Sequence, residues 1–250
     1  MKTKCETFYT FDEINHMKAL RLFLALTILF GLGSCQETVD GNGNIVQESR
    51  ILSDFNEIRI SGMYEVVLEE GDPGLHIETD ENLIPLIKSE VEGGVLTISS
   101  EDKNFNSEKL ILTISYDEIE ELRCSGAVKL STTSPISGDK FQLNISGAAS
   151  GEFEVDVNKL KVDISGGAEL TISGRANDAS YEISGAGEVN AFQLLSSEVE
   201  IDLSGAGEVN VNAQDKLDID VSGAADVNYI GSPSIKQSIS GAGSVNQVNK

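Results

Sequence analysis

From Leu122 to Asn246, apolar and polar residues alternate on both sides of a Ser-Gly pair that recurs seven times. The Ser residues stand at 125, 146, 165, 184, 204, 222 and 240, so the intervals are 21, 19, 19, 20, 18 and 18. With the Ser as zero, positions −5, −3 and −1 are apolar in Leu160, Val162, Ile164, in Val199, Ile201, Leu203 and in Leu217, Ile219, Val221. Positions +5 and +7 are apolar in Leu170, Ile172, in Val189, Ala191, in Val209, Val211 and in Val227, Tyr229. Successive side chains on a strand face opposite ways, so each repeat predicts two short strands that face inward at every second residue. A tight bend joins them at the Ser-Gly corner. Gly at +1 fits a bend needing positive φ, and small residues at +2 and +3 let neighbouring chains approach. The rest of each repeat varies in length and forms a third side or a loop.

A phrase recurring at a near-fixed period of this length marks a solenoid, since one repeat cannot bury its apolar face without a neighbour. The expected fold is all-β, a right-handed parallel β-helix of short repeats over 123–250. The alternative is an antiparallel β-barrel of repeated hairpins, which the same intervals also fit. Every copy repeats in the same phase, and that favours the solenoid. Upstream, 51–122 has a different rhythm. Tyr64–Leu68, Leu75–Thr79 and Leu110–Ser115 read as strands, Asn82–Lys88 as a short helical turn limited by Pro85, and Glu90–Ser99 as a hairpin about Gly93-Gly94. This segment is expected to be a mixed-β N-terminal cap.

Composition suits thin stacked layers: aromatics are 6%, Trp is absent and there are 24 Gly. The formal net charge of -23 disfavours nucleic acid and anionic membrane surfaces as partners. Near the start, Lys18 and Arg21 precede the apolar run Leu22–Leu32, followed by Leu32-Gly33-Ser34-Cys35. A basic region, a short apolar run and small residues at the cut form an export signal, and the run is too short to span a bilayer. Leu-Gly-Ser-Cys resembles the bacterial lipobox, whose Cys is diacylated. Residues 1–34 are therefore expected to be a lipoprotein signal peptide, from Met1 or from a start at Met17. Cys35 is expected to be the lipid attachment site, and 35–50 a flexible tether rich in Gly and Asn. The expected location is the outer membrane, facing the periplasm or the surface, with the lipid as the sole membrane contact.

Of three Cys, only Cys124 remains in the body, in the slot where other repeats place Ile145, Ile164, Ile183, Leu203, Val221 and Ile239. It is expected to be a core residue. Outward positions form columns when repeats stack about 4.8 Å apart. Position −2 aligns Asp163, Glu182, Asp202 and Asp220; position +4 aligns Glu169, Glu188, Glu208 and Asp226. Adjacent like charges repel by about 1 kcal/mol per pair even at the dielectric of water. Ca²⁺ bridging these carboxylates would relieve that cost, and solvated stripes softened by salt are the plain alternative. The Gly-rich calcium nonapeptide of β-rolls is absent. Position +6 aligns Asn190, Asn210, Asn228 and Asn246, expected as a structural amide ladder.

Ile183-Ser184-Gly185-Ala186-Gly187-Glu188-Val189-Asn190, Leu203–Asn210 and Ile239–Asn246 resemble the bacterial head GIN domain family, described as putative auto-transporter adhesins. The likeness runs from about Phe55 to Val248. It implies a secreted or lipid-anchored β-helical body, and the adhesin label is a fold-level inference. Two function classes follow. One is a non-catalytic envelope lipoprotein displaying a rigid rod to a surface ligand, polysaccharide or protein. The other is a carbohydrate-active β-helix enzyme, a polysaccharide lyase or glycosidase. Acids are plentiful, but His76 is the last His, Arg175 is the only Arg after Arg123, and no Ser has a paired His in sequence. No catalytic residue and no cofactor are therefore assigned, and the expected protein binds without catalysing.

Overall fold

The computed structural model describes residues 37–100 and 103–248. The fold is all-β, and its main sheet has eleven strands and does not close into a barrel. The chain opens with β1 (Thr38–Asp40), β2 (Ile45–Ile51), β3 (Glu57–Glu70) and β4 (Gly74–Asp80). Among the described residues there is a single 3-10 turn, Ile84–Leu86, with Pro85 in its first positions. Then come β5 (Lys88–Glu92), β6 (Val95–Ser99), β7 (Asn104–Asn106) and β8 (Ile111–Tyr116). The repeats supply β9 (Glu121–Thr132), β10 (Ile136–Ile164), β11 (Gly167–Ile230), β12 (Ser234–Gly241) and β13 (Ser244–Gln247).

The pairing directions decide between the two expected architectures. β9 with β10, β10 with β11, and β11 with β12 and β13 are all parallel. Successive hairpins would pair antiparallel, so the barrel alternative is overturned. The register is in phase with the repeat: Ser125 lies beside Ser146, Ile164 beside Ile183, and Ser222 beside Ser240. β3 joins the same register, Ser61 beside Ser125 and Gly62 beside Gly126, so the first layer precedes the regular repeats by 64 residues. The intervening chain folds back on β3. β6 pairs parallel with the first half of β3 and antiparallel with β5, while β8 pairs parallel with the second half. β4 and β2 continue that side antiparallel.

β11 is 64 residues long. Straight, it would reach roughly 210 Å at about 3.3 Å per residue. It folds against itself instead: Asn212 Nδ2 donates to Phe192 O, and Asn228 Nδ2 donates to Asn210 Oδ1. The bends fall at the Ser-Gly corners, where Gly185, Gly205 and Gly223 have φ of 153, 154 and 152. A Cβ on Gly205 would sit 2.2 Å from Gly185 O, so each corner packs backbone on backbone.

The alternating apolar residues face a continuous interior. Leu160, Val162, Ile164, Leu170 and Ile172 are buried, as are their counterparts as far as Val227, with Tyr229 partly buried and Ile235 and Ile239 of the last repeat exposed. Phe141 at −5 and Phe153 at +7 of one repeat meet edge to face, centroids 6.4 Å apart, so both strands of a repeat point into one core. Such a contact adds about 0.5–1.5 kcal/mol beyond area burial.

Of the 35–50 segment expected as a flexible tether, the described part, 37–50, departs from that expectation. β1 pairs with β7, and β2 pairs with β4 over seven residues. The Gly41-Asn42-Gly43-Asn44 loop between them is held from a distance. Gly43 N donates to Asp80 Oδ1, Asn42 N to Asn82 Oδ1 at 2.9 Å, and Asn44 Nδ2 to Glu81 Oε2 at 2.9 Å. Asp80 is buried, and Ser107 Oγ donates to its other oxygen. Paired backbone and a pinned loop do not behave as linker. Cys35 and the signal lie outside the described residues.

Candidate functional site

A groove of about 690 Å³ runs along the Ser-Gly corners from β3 to β11. Exposed hydroxyls of Ser61, Ser125, Ser146, Ser165, Ser184 and Ser204 line it as a row. Ser125 Oγ donates to Ile60 O at 3.4 Å and Ser165 Oγ to Ile145 O at 3.5 Å, each the carbonyl of the preceding layer. The groove's other polar wall is the −2 column, extended upstream: Arg59, Arg123, Asn144, Asp163, Glu182 and Asp202. It runs from basic to acidic along the stack, with Arg59 beside Arg123, Arg123 beside Asn144, and Asp163 beside Glu182.

The like charges in this column are relieved by the column two residues away, at −4. Arg59 pairs with Glu57 at 3.3 Å and Arg123 with Glu121 at 2.7 Å. Gln142 Nε2 donates to Asp163 Oδ2 at 3.0 Å. Lys161 then bridges two acids, 3.0 Å from Glu182 and 3.3 Å from Asp163. Glu182 first, and Asp163 after it, hold the Lys161 ammonium above its ordinary pKa. Exposed pairs of this kind are worth about 0–1 kcal/mol each, so the ladder orders the face more than it stabilises the fold. Lys161 is the residue that sequence reasoning missed. Its signal was present, a Lys placed two residues before one column acid and one layer from the next.

The +4 column is treated similarly at its end. Glu208 Oε1 accepts from Asn228 Nδ2 at 3.0 Å, and Asp226 Oδ1 accepts from Ser244 Oγ at 2.6 Å. Glu169 lies beside Ser150 in register, and Glu169 and Glu188 are exposed. Asp202 and Asp220 are exposed on the −2 column, Asp220 beside Ser238. Among the described residues no group of three or more His, Cys, Asp or Glu side chains is placed to hold a metal ion. The carboxylates that do meet a neighbour are joined to Lys161, Gln142, Asn228 and Ser244 instead, so no metal site is assigned.

At +6, Asn228 Nδ2 donates to Asn210 Oδ1 at 2.9 Å and Asn246 Nδ2 to Asn228 Oδ1 at 3.4 Å. Asn190 turns locally, accepting from Phe192 N at 3.4 Å. A second ladder, Asp139–Asn158–Asn177, has steps of 2.8 and 3.0 Å and lies outside the alignment of the Ser-Gly phrase.

The nucleophile candidates are unpromising. Cys124 lies between Ile60 and Ile145 in register, is 5% exposed, and burial pushes its thiol up to about 12. His76 lies on β4, where its Nδ1 is 2.9 Å from Ser49 Oγ, away from the Ser row. Among the described residues no helix is long and apolar enough to cross a membrane.

A family model described as "Putative auto-transporter adhesin, head GIN domain" matches residues 54–233. Three solved structures are similar. One is a putative lipid binding protein from Parabacteroides distasonis ATCC 8503, 26% identical with TM-score 0.69, over 85% of this chain and 100% of that one. Another is a putative adhesin from Parabacteroides merdae ATCC 43184, 26% identical with TM-score 0.62, over the same shares. A putative adhesin from Bacteroides fragilis NCTC 9343 shares the fold at TM-score 0.76 and 21% identity, over 84% of this chain and 100% of that one. No curated protein matches the chain.

Proposed function

The chain belongs to the head GIN domain family, described as putative auto-transporter adhesins, and on that footing we propose that it is a non-catalytic adhesin of the cell envelope. In this reading Cys35 carries the lipid anchor of an exported protein, and the repeats wind as a right-handed parallel β-helix. Parallel in-phase pairing from β3 to β13 supports the winding, and right-handed crossovers are the rule for parallel strands. The winding presents the Ser-Gly corner face to a surface ligand, a polysaccharide or a protein.

One observation carries the binding reading. The groove repeats one hydroxyl and one charged or amide side chain per layer, instead of converging on a single cluster. Catalysis needs a few groups held around one reacting atom. A repeated wall instead suits an extended ligand contacted at several layers.

Binding of the Glu37–Lys250 body to polysaccharide and protein arrays tests this. Asp202→Ala alone should change binding little. Neutralising Asp163, Glu182 and Asp202 together should change it more. Reproducible polysaccharide turnover, abolished by one acidic or Lys substitution with folding intact, would overturn the reading in favour of the enzyme. Labelling cells with a fatty-acid analogue tests the anchor: Cys35→Ala should lose the label, and an equally labelled mutant sinks the lipid assignment.

A further inference from the structure

The two ends of the parallel stack are finished differently. The outer edge of β3 is covered by the chain itself, through β6 with β5 and through β8 with β4 and β2. At the other end, nothing among the described residues pairs with the outer edge of β12. All eight residues of β12 are exposed. Its inward column is open as well. Ile235 and Ile239 are 40% and 39% exposed, although their register partners Leu217 and Val221 are 0% and 1% exposed. An unpaired edge with apolar side chains beside it is a template for another strand.

Charge identifies what can sit there. The chain carries -23 overall, yet 234–250 contains no Asp or Glu. Both acidic columns stop one layer short. The −2 column passes from Asp220 to Ser238, and the +4 column from Asp226 to Ser244. A second copy of so acidic a chain would be repelled from the layers that carry Asp163 to Asp220 and Glu169 to Asp226. The sole Lys of β12, Lys236, is turned back onto Asp218 at 3.0 Å and does not guard the edge.

We propose that two copies dock end to end, β12 antiparallel to the second copy's β12 about a two-fold axis. Such an interface is self-complementary, each residue meeting its partner twice. Pairing centred on Gln237 sets Ile235 opposite the second copy's Ile239 on the apolar face. It also sets Lys236 opposite Ser238, so the two Lys do not collide. The interface uses up the β12 edge on both copies, and because the pairing is two-fold, association stops at two.

Light scattering on the Glu37–Lys250 body, which is one compact unit, tests this across about 1–100 µM, since a dimer's population depends on protomer concentration. The mass should rise from one copy to two and no further, and added NaCl should tighten the dimer by screening the charge on the two bodies. Gln237→Glu keeps the size of the side chain and sets two carboxylates opposite each other across the two-fold axis. It should weaken the dimer by at least about threefold. Ile239→Lys should weaken it as well, and Gln237→Glu decides the matter if Ile239→Lys disturbs the last layer. A body that stays monomeric throughout, a ladder of larger species, or a dimer indifferent to Gln237→Glu would each overturn the proposal.

Discussion

Replacing Gly147 by Ala tests the stacking of corners directly, because that glycine is excluded from bearing a side chain by contact and not by conformation. Its φ lies outside the left-handed range, but a Cβ there would be 2.3 Å from Gly126 O and 2.8 Å from Gly126 N. Carbon and oxygen sit comfortably at about 3.5 Å, so two neighbouring layers must part by about 1 Å at a point where both are backbone. Overpacking of this kind costs about 1–3 kcal/mol. Gly138→Ala separates the other cost: its φ is +157, and nothing lies within 4 Å of the Cβ position. Gly205 carries both burdens, with φ +154 and Gly185 O at 2.2 Å, and the conformational part adds about 1–2 kcal/mol. Denaturant midpoints at unchanged m read the three variants on one scale. Gly205→Ala should be the least stable. Gly147→Ala within about 0.5 kcal/mol of the parent would refute corner-on-corner packing, since surface changes alone stay in that range.

Three further outcomes follow from the side chains. Asn228→Ala removes bonds to Glu208, Asn210 and Asn246 and should cost about 1–2 kcal/mol, against less for Asn190→Ala, by the same midpoints. Cys124 should resist thiol reagents until the protein unfolds. Burial raises its pKa from 9.0 to about 12, so its contribution to stability is whole below pH 9 and is lost as pH climbs toward 12, which pH-dependent melting of Cys124→Ala against the parent measures. NaCl and CaCl₂ at equal ionic strength should raise the melting temperature equally, because among the described residues no three acidic side chains are placed to hold one ion; a surplus shift with Ca²⁺ would contradict this.

What was legible in the chain was whatever had a period. Alternation about each Ser-Gly pair located the buried columns, and the phase of the copies pointed to parallel pairing. Cys124 was placed as a core residue by the Ile residues that share its slot. Three things needed more than the local pattern. β3 belongs to the same register as the repeats, but the 64 residues from Ser61 to Ser125 hide it from any count of intervals. Gly41–Asn44 has the composition of a linker, and only the fold brings Asp80 beneath it from 37 residues away. Lys161 looks like one scattered cation until layers adjoin and place it between Asp163 and Glu182. Composition reports what a segment can do alone, and each of these depends on a partner supplied by the topology.

The corner glycines also act as a length standard. Gly147, Gly166, Gly185, Gly205, Gly223 and Gly241 each rest on the glycine one layer before, whether the chain between spans 18 residues or 21. In the longest interval the chain leaves the sheet at 133–135, between β9 and β10, and these residues do not line the groove. A loop residue can thus be gained or lost without shifting the Ser row, and a whole interval can be excised with Ser204 coming to rest where Ser184 had been. The binding wall grows or shrinks in units of one layer, and its chemistry at each remaining layer stays in phase.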